Sequence, residues 1–203
     1  MEEVRLGDAS IWILPSVRGP PSEANIVRNS IESVRPGRVA LSIGPEELQT
    51  LRAYHEGPQE PGNFEEEIYV AGLSAWEPPV LPPPCFFEAV RIADARGMGL
   101  EALDMDEATY AENYVDSVSA LEVVFQGRLE RRLAKKRFHA KDPREFVLEW
   151  DSEVNGSRGF AQLQRRRERF MASRLRQIAA AGGTVLAIIE LERAEGVRAA
   201  LRE

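Results

Sequence analysis

The sequence predicts an α/β fold, a mostly parallel central sheet flanked by helices, with a helical excursion between the fourth and last strands. Three observations predict it. Short apolar, β-favouring runs closed by Pro or Gly alternate with longer segments of helical period. The pair Gly182-Gly183 separates the strongest helical pattern from the clearest strand pattern, and residues 106–160 carry helical period with no strand between. With 203 residues, 43% of them hydrophobic and 29% charged, the chain suits one substantial core. A single domain over residues 1–203 is expected, with 106–160 as a helical insertion within it.

Residues 11–14, "IWIL", stopped by Pro15, suit a short buried strand. Ser22 stands at an N-cap position, and Ile26, Val27, Ile31 and Val34 follow at helical spacing until Pro36-Gly37. Residues 39–43 form a second strand, and Gly44-Pro45-Glu46-Glu47 opens a helix with proline in its first turn and acids at its positive end. Residues 56–63 are polar and rich in Pro and Gly, hence a loop, and 68–73, "IYVAGL", a third strand. Residues 76–84, "WEPPVLPPP", are stiff and extended because consecutive prolines exclude helix and sheet interior. They read as a spacer packing Trp76 and Leu81, with a ligand of proline-binding modules as the alternative.

Residues 86–96 form a helix closed by Gly97, and 100–103 a fourth strand. Asp106 caps a long helical stretch whose Tyr110, Tyr114, Val118, Leu121, Phe125, Leu129 and Leu133 make one apolar stripe. Asp142-Pro143 starts another helix, and Asn155-Gly156-Ser157 interrupts it. Residues 160–181 are an Arg-rich helix, 184–189 the last strand and 195–202 the last helix.

A formal net charge of -7 argues against a dedicated nucleic-acid binder, because phosphate contacts need a basic surface. The basic stretch 128–138, "RLERRLAKKRF", reads as the solvated face of an amphipathic helix. Cys85, the single cysteine, has no partner for a disulfide or a thiolate zinc site and reads as buried packing. No 18-residue apolar stretch and no signal-like start are found, so no membrane span is expected and the cytoplasm is the expected address. No cofactor is implied.

In open parallel sheets, ligands bind beyond the carboxyl ends of the strands. Those places hold Arg18 after the first strand, Ser42 at the end of the second, Asp104 and Asp106 after the fourth, and Glu190, Glu192 and Arg193 after the last. Taken in order, the segments resemble the TraB/PrgY domain, related to the TIKI group of membrane-anchored metalloproteases. That family runs from a strand into Gly-Thr-x-His, a Ser-containing helix start and a strand bearing an acid. It closes with an Arg-Asp-x-x-Met-Ala helix, a strand and Gly-x-Gly-His-x-x-Gly-Ile. Here "ILPSVRGPPS" falls on the first motif with Ser22 in the serine place, "RPGRVALSIGPEEL" on the second, and "ARGMGLEALDMD" on a helix-to-strand passage ending in acids. "RERFMASRL" falls on the helix motif and "VLAIIELERAEGV" on the last.

The resemblance implies an α/β fold and, in members with the full motifs, histidine- and metal-dependent hydrolysis. This chain departs where that chemistry would reside. Pro15 takes the first motif glycine's place, Arg18 and Arg193 those of the two histidines, Ser42 that of the acid, and Glu190 and Glu192 those of the last glycines. Arg167 matches the helix arginine, with Glu168 in the acid's place. Guanidinium stays protonated and offers only donors, so it cannot replace imidazole as a metal ligand or a base. The only histidines, His55 and His139, lie far in sequence from the strand ends.

A catalytically degenerate binding, regulatory or assembly module is therefore expected, with a hydrolase or metal-dependent peptidase using substitute residues as the alternative. Arg18, Arg193, Ser42 and Arg167 would surround a small anion. Alternatively, Arg18 and Arg193 pair internally with Asp104, Glu190 or Glu192. Asp104, Asp106, Glu190 and Glu192 are also hard-oxygen candidates for Mg²⁺ or Ca²⁺, against the simpler reading of caps and ion pairs. The partners considered are a small anionic ligand, a protein, or a second copy through the apolar helices.

Overall fold

The computed structural model describes residues 1–55, 57 and 59–203. Its five-stranded sheet runs in the order β1-β2-β5-β3-β4, built from β1 (Glu2–Leu6), β2 (Ala9–Ser16), β3 (Arg38–Leu41), β4 (Gly99–Ala102) and β5 (Gly183–Glu190). All neighbouring strands are parallel except the edge pair β1 and β2. The last strand is inserted between the first two of the parallel set, with Ser16 opposite Glu190 and Leu41 opposite Ile188. Segments remote in sequence therefore leave the sheet side by side.

The central strand β5 is apolar on both faces because helices cover both. On one face Val185, Ala187 and Ile189 join Ile11 and Ile13 against Met171 and Leu175 of α8 (Arg158–Ala179) and Val197 of α9 (Leu191–Arg202). On the other, Leu186 and Ile188 pack with Leu14, Val39 and Leu41. Their partners are α1 (Ser22–Val34), α2 (Pro45–Ala53) and α4 (Pro84–Arg96), through Val27, Leu51 and Phe86. A third cluster joins Val17, just beyond β2, to α3 (Phe64–Leu73), α6 (Ala120–Leu133) and α7 (Pro143–Val154). Its Phe146 is fully buried against Tyr69, Trp76, Phe138 and Trp150. This aromatic cap closes over one side of the sheet's carboxyl edge.

The strand expected over residues 68–73 is instead the second half of α3. A continuous apolar run fits a buried helix as well as a strand, and the helix start lies upstream. Asn63 accepts a hydrogen bond from the Glu66 N–H at 2.9 Å, and three glutamates occupy the favourable first turn. The charged segment of β1 escapes the hydrophobic pattern because it is a partly exposed edge, joined to β2 through Gly7 at φ 57.

Ser22 is not the cap of α1. Pro21 holds that position, and the Ser22 hydroxyl donates to Glu77 at 2.6 Å. The stretch after Asp106 is two helices, α5 (Glu107–Ser117) and α6, parted where Ser119 and Glu122 form a reciprocal cap. Much of its expected apolar stripe faces solvent, with Leu121 70% and Phe125 56% exposed. The last helix begins four residues early, so Glu192 and Arg193 stand in its first turn. Glu56 and Pro58, in the loop expected over 56–63, lie outside the described residues. Among the described residues no helix is long and apolar enough to cross a membrane.

Candidate functional site

Strand order assembles the site. Glu190, the last residue of β5, lies between the exits of β2 and β3 and is only 7% exposed. Arg18, in the turn after β2, places Nε 3.0 Å from Glu190 Oε1. From the exit of β3, the Ser42 hydroxyl accepts the Glu190 backbone N–H at 2.9 Å. Asp104, just after β4, accepts from Arg167 Nε at 2.9 Å and from its Nη2. Arg167 rises from α8, donates Nη1 to Gln164 at 2.8 Å, and lies 3.7 Å from Glu190 Oε2. Glu190 thus sits between two guanidinium groups, and Ser42 fixes its backbone.

Four carboxyls share this region with two arginines. The protein surroundings that exclude bulk water, followed by the negative charges of Glu190 and Asp104, raise Glu47 to about 7, although the residue is exposed on its outer side. Burial and then Glu190 likewise raise Glu192 to about 7. Glu190 holds the Arg18 guanidinium above its ordinary range against the cost of burial. For Arg167 burial is the largest influence and favours loss of charge, but Asp104 and Glu190 together outweigh it. Two permanently charged arginines are therefore surrounded by carboxyls, two of which change charge near neutrality.

Arg193 does not pair with the strand-end acids as expected. Its buried guanidinium contacts Asp151 of α7 and donates to Glu168 of α8 at 3.0 Å. A Cβ on Gly196 would overlap the Glu168 carboxylate, so that glycine permits the close approach. Asp106 caps α5, its carboxylate accepting from the Thr109 N–H at 2.7 Å. Arg167 is not on a solvated helix face but within the cluster, hydrogen-bonded to Asp104 and Gln164. Ser42 is 2% exposed and already engaged. His55 and His139 are both exposed and outside the cluster.

Of the four residues expected around an anion, Arg18 lines cavities among the described residues, while Asp104 and Asp106 line a separate one of about 470 Å³. Arg18 lines a cavity of about 390 Å³ with Tyr69, Trp150 and Glu130, and a second of about 230 Å³ with Glu47, Tyr54 and Pro82. The Tyr69 hydroxyl donates to the Arg18 carbonyl at 3.2 Å, and the guanidinium lies 5.6 Å from the Tyr69 ring centre. The side chain is 39% exposed. Its terminal nitrogens make no hydrogen bond among the described residues, and neither is a buried orphan, so they reach the open space. Gly19 supports the turn at φ 106, where a Cβ would meet Pro79.

The residues present do not fit the metal that the TraB/TIKI resemblance implies. Arg18 brings donors where a ligand lone pair is needed, Asp104 is consumed by Arg167, and no three His, Cys, Asp or Glu side chains among the described residues are grouped to hold a metal ion. Sequence reasoning missed Glu47, Tyr69, Glu65 and Glu130. Glu47 reads in the sequence as a helix-start acid, and its place in the first turn of α2, the helix that follows β3, is itself the signal that it lies near the strand ends. No protein-family model matches the sequence, and no curated protein matches it.

Proposed function

We propose that this chain is a TraB-like protein in which strand-end catalysis has given way to binding, with Arg18 receiving a small anionic group. The supporting observation is the division of labour within one guanidinium. Nε makes an ion-pair contact with buried Glu190 without hydrogen-bond geometry, whereas the terminal fork is left to the cavities. A fork fixed at its base is preorganised for a carboxylate or phosphate. Arg167, Arg193 and Ser42 shape the surroundings through contacts to Asp104, Gln164, Asp151, Glu168 and the Glu190 backbone. A panel of succinate, phosphate, sulfate and divalent metals, read by thermal unfolding, tests this. An anion at 100 times its dissociation constant adds about 2.7 kcal/mol, and Arg18→Met abolishes the shift. Stabilisation by anions that survives Arg18→Met removes the proposal.

A second reading rests on Glu47 and Glu192, two carboxyls near 7 beside a guanidinium. General acid–base hydrolysis needs groups poised in this range. On this reading the substitute catalyst is Glu47, which borders the smaller cavity, rather than Asp104 or Asp106. Peptide or ester hydrolysis by the wild type, lost in Glu47→Gln, would support it, and no turnover by the wild type would end it.

A further inference from the structure

The larger of the two cavities at Arg18 is lined by three carboxyls as well as by that arginine. Glu65 and Glu66 enter it from the first turn of α3, and Glu130 from α6. No arginine or lysine among the described residues forms an ion pair with any of the three. Glu66 accepts the Gly62 N–H at 2.7 Å. Burial, and next the Glu130 charge, push the Glu65 carboxyl up against the opposing influence of Arg18 and of a Gln126 hydrogen bond. Tyr69 and Trp150, both largely buried, complete the lining.

A space of about 390 Å³ lies at the small end of ligand sites. Its lining offers the forked donors of Arg18 together with three carboxyls that outnumber it. A purely anionic occupant would leave the repulsion between Glu65 and Glu130 unrelieved, and a purely cationic one would leave the Arg18 fork unused. We infer that this cavity takes a small dipolar ligand, with a carboxylate on Arg18 and an amine or guanidinium between Glu65 and Glu130, as in a basic amino acid or short basic peptide. The inference rests on the Arg18 reading above and adds the cationic half.

Calorimetric titration separates the two. The probes are glycyl-arginine, agmatine, which lacks the carboxylate, and succinate, which lacks the cation. They are titrated into the wild type, Arg18→Met and Glu130→Gln, with thermal unfolding confirming that each variant folds. Glu65→Gln replaces Glu130→Gln should the latter not fold. The expected result is glycyl-arginine binding at least about tenfold tighter than either half, a loss of about tenfold or more with Glu130→Gln, and unchanged succinate affinity in that variant. Equal affinities for glycyl-arginine and succinate, lost in Arg18→Met and untouched by Glu130→Gln, would overturn the dipolar assignment and leave anion binding standing. Agmatine binding as tightly as glycyl-arginine and surviving Arg18→Met would overturn both, as would no binding of any probe.

Discussion

Glu192→Gln should stabilise the protein at pH 8 and leave it nearly unchanged at pH 5. The wild-type carboxyl is raised from 4.5 to about 7 by burial and by Glu190. Between those values the folded chain retains a proton that the unfolded chain has released, so stability falls as pH rises through this window. A shift of that size corresponds to roughly 3 kcal/mol at about 1.4 kcal/mol per unit. Glu192 is only half-buried, and solvent screening reduces the usable part to about 1–2 kcal/mol. Glutamine mimics the protonated acid, so the gain is present above pH 7 and vanishes near pH 5. Thermal unfolding at the two pH values should show a rise of about 2–8 °C at pH 8 only. A lower melting temperature at pH 8, or an equal change at both, would refute the claim that this carboxylate is held against its preference.

The same titrations govern ligand binding. As Glu47 and Glu192 ionise, the field around Arg18 becomes more negative, so succinate affinity should fall by roughly tenfold from pH 6 to pH 8 by calorimetry. In the helical cap, a Cβ on Gly72 would overlap the fully buried Phe146 ring, so Gly72→Ala should cost about 1–3 kcal/mol in urea unfolding. Burial, and secondarily Glu23, push the Cys85 thiol up. The native protein should resist a thiol-specific disulfide reagent that reacts promptly once it is unfolded.

The α/β layering was legible because its signals are local. Pro36-Gly37 stops the first helix, and Gly182-Gly183 announces β5, whose apolar run is long enough to identify a doubly covered strand. The first expected strand, however, runs through Pro15 to Ser16 and does not stop before it. What local patterns miss is context. Residues 68–73 satisfy a strand template, and only the upstream Asn63 cap and acidic turn make them helical. The α6 stripe has the right spacing for burial, yet Leu121 and Phe125 face solvent because α6 meets the fold through Leu129 and Leu133.

The site shows the same division. Arg18, Ser42, Asp104 and Glu190 were legible because strand ends in parallel sheets converge. The pairing of Arg18 with Glu190 was among the expected alternatives, whereas the partners of Arg193 and Arg167 were not singled out, because pairing depends on strand order and helix packing. Placing β5 between β2 and β3 gives Glu190 to Arg18, while α7 and α8 take Arg193 to Asp151 and Glu168. Glu65 and Glu130 lie 65 residues apart in sequence and meet only through the packing of α3 against α6.

A crystal structure of the wild-type protein soaked in succinate tests the role of Arg18 most directly. The account predicts a carboxylate on the terminal nitrogens of Arg18 within the larger cavity, with the Arg18 to Glu190 contact preserved. Succinate bound away from Arg18, or a cavity empty at a concentration that stabilises the protein in solution, would contradict it.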